Sequence, residues 1–279
     1  FCENTAQVTV TVNPLPVANA GTAQTVCEGT AVNLNGAGGA SYVWTPGNLN
    51  TQNVNVTPAT TTTYTLTVTS AAGCIDADQV TITVNPMPTV DAGNGFSVCK
   101  GSSVTLAAST GAGNYLWLPG NFNTSSISVA PLITTTYTVT VSDAIGCSGN
   151  DTVTVVVNPI PVASFTNSGP VCVGNSITFT DGSAVSSGTI STWNWAFDNS
   201  QTSTQQNPSS GYSTSGNFNV QLIVTSNSGC KDTTLNVVRV NPLPVAEAGN
   251  NGSICPGFNA TLTGSGGSQY LWNPGGFTT

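Results

Sequence analysis

The residues with the most chemical potential in this chain are its eight cysteines, and they fall into two registers. Cys27, Cys99, Cys172 and Cys255 each precede a short apolar stretch. Cys74, Cys147 and Cys230 each follow a Gly late in a repeat, and Cys2, in the same register, follows Phe1. The chain contains no His and no C-x-x-C pair, so a zinc site lacks both its commonest ligand and its usual spacing. Cysteines in a recurring register without these partners read as disulfides, which form in an oxidising, extracellular compartment. Other chemistry finds little to work with. Without His, Ser-His and Cys-His nucleophilic pairs are impossible, and general acid–base work near neutral pH loses its usual agent. The eleven acidic residues are thinly spread. Asp76 and Asp78, beside Cys74, are the one place where carboxylates and loop carbonyls could hold a Ca²⁺, and two carboxylates are a poor start for that ion. No G-x-x-x-x-G-K-[ST] loop occurs. The glycine-rich stretches 36–39 and 264–267 read as turns. We therefore expect no catalysis and no cofactor.

Composition narrows the partners. Three Lys+Arg among 279 residues, with a net charge of −8, cannot neutralise a phosphate backbone, so no nucleic acid is expected. No apolar run approaches the ~18 residues of a membrane span, and no signal peptide is visible. The chain begins with Phe1 rather than Met and inside a repeat, which reads as a window on a longer polypeptide.

The elements that must position the cysteines are set by internal repetition. Asn-Pro-x-Pro begins at Asn13, Asn85, Asn158 and Asn241, with spacings of 72, 73 and 83 residues, and the cysteines keep the same beat. This divides the chain into a strand from a preceding repeat (1–13), three whole repeats (14–85, 86–158, 159–241) and a truncated fourth (242–279). Each whole repeat reads as short alternating strands. In the first, Val32/Leu34, Tyr42/Trp44, Tyr64/Leu66/Val68 and Val80/Ile82/Val84 mark one apolar face. In the second, Val104/Leu106, Tyr115/Trp117, Tyr137/Val139/Val141 and Val153/Val155/Val157 do the same. The opposite face is mostly Thr, Ser and Asn, and no segment has helical periodicity. Seven or so strands in about 75 residues, with a Trp on a middle strand, predict an all-β fold: a tandem array of small two-sheet β-sandwiches. A single β-solenoid would need repeats nearer 20–30 residues.

Two resemblances follow. The third repeat carries Trp193-Asn194-Trp195-Ala196-Phe197-Asp198, then Asn207-Pro208, then Tyr212 with Gly216, Phe218, Val220 and Leu222, and ends at Ser228-Gly229-Cys230. This resembles the PKD domain. It departs at Asp198-Asn199, where the family pattern has Gly-Asp-Gly. The other repeats, with V-C-x-G, Y-x-W-x-P-G and T-T-T-Y-T-x-T-V, resemble the Ig-like repeats of giant Bacteroidota surface proteins, including gliding-motility adhesins and other type IX-secreted proteins. Trp44, Trp117 and Trp272 recur at one register, and Trp193, Trp195 and Phe197 share one strand face. Both sets are expected in cores rather than on sugars.

Two disulfide schemes stand side by side. In the first, each repeat closes on itself through Cys27–Cys74, Cys99–Cys147 and Cys172–Cys230. The second follows from an immunoglobulin topology. Leu34 and Leu66 or Val68 occupy the mid-strand core, the early cysteine sits in the turn between the first two strands, and the late one sits in the turn before the last strand. Those turns lie at opposite ends of a sandwich. A seven-residue strand spans about 23 Å, whereas a disulfide needs Cα atoms within about 7 Å. The bonds would then join neighbouring repeats, as Cys27–Cys147 and Cys99–Cys230, and Cys2, Cys74, Cys172 and Cys255 would pair outside this sequence.

The linker prolines Pro14 and Pro16, Pro86 and Pro88, Pro159 and Pro161, and Pro242 and Pro244 fix φ and favour a stiff extended path. They would also blunt a strand edge. Asp151–Val153 and Asp232–Thr234 match the short Bacteroidota O-glycosylation signal D-[ST]-[AILMTV], with Thr152 and Thr233 as acceptors; an exposed strand Thr accounts for them equally well. These readings lead to an extracellular, cell-surface filament or adhesin stalk serving attachment or gliding. Its partners would be neighbouring repeats, other copies of itself, or surface glycans. The alternatives are a carbohydrate-binding spacer of a secreted polysaccharide-degrading enzyme and the repeating subunit of a self-assembling fibre.

Overall fold

A computed structural model describes residues 1–109, 113–273 and 277–278. All regular structure among them is strand. No helix long and apolar enough to cross a membrane occurs there.

The first repeat has six strands: β1 (Gln24–Cys27), β2 (Val32–Asn35), β3 (Ser41–Thr45), β4 (Asn53–Val56), β5 (Thr62–Thr69) and β6 (Ile75–Asn85). They form a four-stranded sheet in the order β1-β6-β5-β3 and a two-stranded sheet of β2 and β4. β1 runs parallel to β6, while β5 pairs antiparallel with both β6 and β3. The segment before β1 joins the second sheet through the Asn19–Ala37 bridge. This is an immunoglobulin-like arrangement. Alternation along each strand sends Val32, Leu34, Trp44, Val54, Val56, Tyr64, Leu66, Val68, Val80 and Ile82 into one core, and leaves the Thr-rich positions of β5 and β6 outward.

The second repeat repeats the plan with β7 (Phe96–Cys99), β8 (Val104–Ala107), β9 (Asn114–Leu118), β10 (Ser126–Val129), β11 (Thr135–Ser142) and β12 (Ser148–Asn158). Its sheets are β7-β12-β11-β9 and β10-β8. The third has eight strands: β13 (Phe165–Asn167), β14 (Val171–Cys172), β15 (Ser176–Asp181), β16 (Ile190–Ala196), β17 (Thr202–Ser203), β18 (Ser209–Gly211), β19 (Gly216–Ser226) and β20 (Lys231–Asn241). They make a five-stranded sheet, β14-β20-β19-β16-β17, and a three-stranded one, β13-β15-β18. Tandem Ig-like β-sandwiches are therefore the fold. By contacts the chain divides into two compact units, 1–96 with 103–156, and 97–102 with 157–279.

The flanking segments are different. Residues 1–13, expected as a strand, are exposed and carry no strand pairing; a strand needs a neighbour for its backbone groups. Among the described residues of the fourth repeat, β21 (Leu271–Trp272) and β22 (Phe277–Thr278) pair and Glu247 bridges Ser265, while Ile254, Phe258 and Leu262 stay exposed. Residues 274–276 and 279 of that expected repeat lie outside the described residues. One contact shows how the linker is received. Gly38 has φ +103°, and a Cβ there would lie 1.7 Å from the Val17 carbonyl oxygen. Gly266 stands in the same relation to Val245, so only glycine permits the post-linker segment to pack there.

Candidate functional site: the cysteine turns

Each early cysteine opens a tight turn. The Cys27 carbonyl accepts from Thr30 N–H at 3.0 Å, Cys99 from Ser102 at 2.9 Å, Cys172 from Asn175 at 3.1 Å and Cys255 from Phe258 at 3.2 Å. The third residue of every turn is a glycine with φ between +78° and +92° (Gly29, Gly101, Gly174, Gly257). That conformation belongs to the type II turn, where a side chain would be strained. The turn is then fastened to the end of the last strand. The residue after the cysteine donates its N–H to the Asn of Asn-Pro-x-Pro: Glu28 to Asn85 O at 2.9 Å, Lys100 to Asn158 O at 2.9 Å, and Val173 to Asn241 O at 3.0 Å. The Asn-Pro-x-Pro motif therefore does two things. Its Asn carbonyl positions the early cysteine, and its first Pro, lacking an N–H, ends the ladder.

The late cysteines are set with equal regularity. A side-chain oxygen four residues earlier accepts the cysteine N–H: Ser70 Oγ for Cys74 at 3.1 Å, Asp143 Oδ1 for Cys147 at 2.9 Å, and Ser226 Oγ for Cys230 at 3.2 Å. The backbone closes the same turn, since Ser70, Asp143 and Ser226 N–H groups donate to the cysteine carbonyls.

The two turns sit at opposite ends of the repeat's last strand. Cys27 pairs with Asn85, the final residue of β6, whereas Cys74 immediately precedes Ile75, its first. Eleven residues of strand separate these ends by about 36 Å. The intra-repeat pairs Cys27–Cys74, Cys99–Cys147 and Cys172–Cys230 are accordingly not formed. Cys27 bonds Cys147 with Cα atoms 5.4 Å apart, and Cys99 bonds Cys230 at 5.6 Å. Each bond joins the early turn of one repeat to the late turn of the next. Cys2, Cys74, Cys172 and Cys255 are free thiols.

Asp76 and Asp78, the pair weighed for Ca²⁺, are turned to other work. Asp76 Oδ2 accepts Ala18 N–H and Asp78 Oδ2 accepts Ala20 N–H, each at 2.8 Å. Asp151 takes Ala92 N–H at 2.8 Å and Asp232 takes Ala163 N–H at 2.7 Å. These carboxylates clip the segment just after each linker to the last strand. The Ala20 N–H, then Gln79 N–H, hold the Asp78 carboxyl below its ordinary range; Ala92, then Thr152, do so for Asp151. No cluster of three or more His, Cys, Asp or Glu that could hold a metal occurs among the described residues.

The clips also give the Asp-Thr motifs a structural meaning. Asp151 and Asp232 are the clip residues and Val153 is in the core. Thr152, between Asp151 and Val153, and Thr233, which follows Asp232, face solvent.

The linker prolines differ in exposure. Pro14, Pro86, Pro242 and Pro244 are exposed, Pro16, Pro88 and Pro159 half-buried, and Pro161 buried. The recurring Trp is internal in the three whole repeats. Trp44 and Trp117 are fully buried and Trp195 is 2% exposed. Their indole N–H groups donate to the carbonyls of Gln52, Thr124 and Gln205 at 3.4, 3.0 and 2.9 Å. Trp193 is half-buried against the third core and donates to Asp181 Oδ2 at 2.8 Å. Trp272, in the fourth repeat, is half-buried.

The third repeat's geometry has a counterpart among known families. Residues 158–240 match the family model of the PKD domain. Among solved structures, the PKD1 domain of Vibrio anguillarum Epp is 30% identical, with 31% of this chain and 99% of that one covered and a TM-score of 0.29. The PKD1 domain of the Vibrio cholerae metalloprotease PrtV is 34% identical, with 29% and 98% covered and a TM-score of 0.27. The eight N-terminal Ig domains of Down syndrome cell adhesion molecule are 16% identical, with 81% and 42% covered and a TM-score of 0.41. No curated protein matches the chain. The departure from the PKD pattern falls in the β16–β17 turn, where Asp198 and Ser200 hold φ of +59° and +66°. Asp198 offsets its strain by accepting Asn219 N–H at 3.0 Å.

Proposed function

We propose that this chain is a structural segment of a long extracellular filament or cell-surface adhesin stalk, giving stiff extension and display for attachment or gliding. A Bacteroidota surface protein exported by type IX secretion is the source that the repeat motifs favour. The observation that carries the reading is the pair of disulfides, Cys27–Cys147 and Cys99–Cys230, each joining successive repeats. Such bonds stop a domain from swinging about its linker, which is what a load-bearing or projecting element requires. Proline-rich linkers act in the same direction, and the bonds themselves require an oxidising compartment. The chemistry fits a structural role. The cysteines sit in turns, Asp76, Asp78, Asp151 and Asp232 clip backbone, and Trp44, Trp117 and Trp195 are spent on cores rather than offered to sugar rings. An exposed Thr152 and Thr233 leave room for O-linked glycan on the outer strands.

Electron microscopy of the native material tests this. Thin, beaded fibres whose bead spacing matches one repeat are expected. Compact particles that bind polysaccharide, with binding lost on an aromatic→Ala change, would instead support a spacer module of a secreted hydrolase.

A further inference from the structure

The bonds Cys27–Cys147 and Cys99–Cys230 overlap in sequence, because Cys99 lies inside the loop that the first one closes. The four cysteines divide the backbone between them into three stretches, 27–99, 99–147 and 147–230. Covalent structure reaches Cys230 from Cys27 by several routes. One is the backbone itself. A second crosses to Cys147 and follows 147–230. A third follows 27–99 and crosses from Cys99. A fourth crosses to Cys147, runs back to Cys99 and crosses again. Any two stretches are avoided by at least one route, so only cuts in all three separate Cys27 from Cys230. Pairing within repeats has no such property. With Cys27–Cys74 and Cys99–Cys147, one cut between 74 and 99 would sever the chain.

The linkers are prepared for such a cut. Exposed loop backbone is where proteases act, and Pro86, Met87 and Thr89 are exposed. The first linker is pinned on both sides. Upstream, the Asn85 carbonyl accepts Glu28 N–H at 2.9 Å, and downstream Asp151 accepts Ala92 N–H at 2.8 Å. The second linker is pinned by Lys100 N–H on the Asn158 carbonyl at 2.9 Å and by Asp232 on Ala163 N–H at 2.7 Å. A cut between the pins leaves each stub fastened to its own sandwich.

We propose that the overlapping bonds make this chain a cut-tolerant tether, whose ends stay joined and whose repeats stay folded after a protease cleaves a linker. Each cleavage hydrolyses one peptide bond: water gives its hydroxyl to the new carboxyl group and its hydrogen to the new amine, and no sulfur changes oxidation state. The proposal deepens the stalk reading, but its test reads connectivity alone, so either can fail without the other.

The test exploits the scarcity of trypsin sites. Lys100→Gln, Lys231→Gln and Arg239→Gln remove all three, and each of these side chains is exposed. Thr89→Arg, Leu132→Arg and Ser187→Arg then add one exposed site to each stretch; Thr89→Lys is a second version of the linker site. Free thiols are alkylated first so that bonds cannot exchange, circular dichroism establishes that each variant is folded, and reducing gels show that cleavage is complete. With one or two sites, the cut chain should run undivided on a non-reducing denaturing gel, with no loss of the full-length band. With all three it should give two products, 1–89 bonded to 133–187 and 90–132 bonded to 188–279. The chain cut only at 89 should keep its circular dichroism. Three outcomes would overturn the proposal: separation of the unreduced chain by the cut at 89 alone, a full-length band surviving all three cuts, or loss of the folded spectrum after the cut at 89.

Discussion

The first and third repeats solve the same packing problem with different side chains. The first fills its sandwich mainly with aliphatic residues around Trp44 and Tyr64. The third uses a cluster of rings: Phe165 lies edge-on to Trp195 at 5.0 Å, and Phe179 lies 5.1 Å from Phe197. The clips differ too. The first repeat has two carboxylates on its post-linker segment, Asp76 and Asp78. The third has Asp232, with Asn236 donating to Phe165 O at 3.4 Å. What does not vary is the pair of cysteine turns, the Asn carbonyl behind the early one, and a tryptophan whose N–H is capped by a loop carbonyl. The cores are interchangeable fillings and the ends are fixed. A molecule whose specification lies at the ends of its domains is built for joining domains.

The largest effect expected is from the cores. Trp195→Ala should cost the third repeat about 3–5 kcal/mol, and Trp44→Ala a similar amount in the first. Limited proteolysis during thermal unfolding would show which repeat opens. The contrast fails if either change opens both repeats equally. Next come the bonds. Cys27→Ser should lower stability by about 2–4 kcal/mol, since the bond closes a long loop of the unfolded chain. Cys99→Ser should do the same, and denaturant titrations of each variant measure it. A loss confined to one bond would show that the ends are not equivalent after all.

Acid should have a smaller effect. Asp78 and Asp151 titrate below their unfolded values because backbone N–H groups stabilise the carboxylate. Burial pushes the Asp181 carboxyl up, but hydrogen bonds from Ser183, Gln206 and Trp193 together hold it below the ordinary range. A depressed folded pKa gives stability that is full above the unfolded value near ~3.9 and is lost as pH falls through the folded one. The melting temperature should therefore fall below about pH 4. Asp78→Asn should flatten that decline in the first repeat and leave the third unchanged. The smallest change sharpens the contrast from the other side. Ser200→Gly relieves a left-handed residue and should stabilise the third repeat by about 0.5–1 kcal/mol, visible as a small rise in its melting temperature.

Much of this was legible in the sequence, because repetition makes each pattern visible several times. The alternation at Tyr64/Leu66/Val68 and Val80/Ile82 placed β5 and β6 and their buried faces. The β4 and β10 strands, with alternating Val54/Val56 and Ile127/Val129, were not read, although Val32/Leu34 and Val104/Leu106 on strands of the same four-residue length were. The positions of the cysteines in their turns were legible; the choice between two pairings depended on which end of the last strand each turn occupies, a property of strand direction. The clip carboxylates were legible as acids but not as clips. Asp76 and Ala18 lie 58 residues apart, and only the fold brings them together. The acceptors for the late cysteines, Ser70, Asp143 and Ser226, had a signal in their constant four-residue offset, which alignment of the repeats on their cysteines exposes.

Peptic mapping of the unreduced native chain is the most direct measurement of the central claim, that disulfides join successive repeats. Trypsin is unsuited, with only three Lys+Arg to cut at. The account predicts linked peptides containing Cys27 with Cys147 and Cys99 with Cys230. A linked peptide containing Cys27 with Cys74 would contradict it.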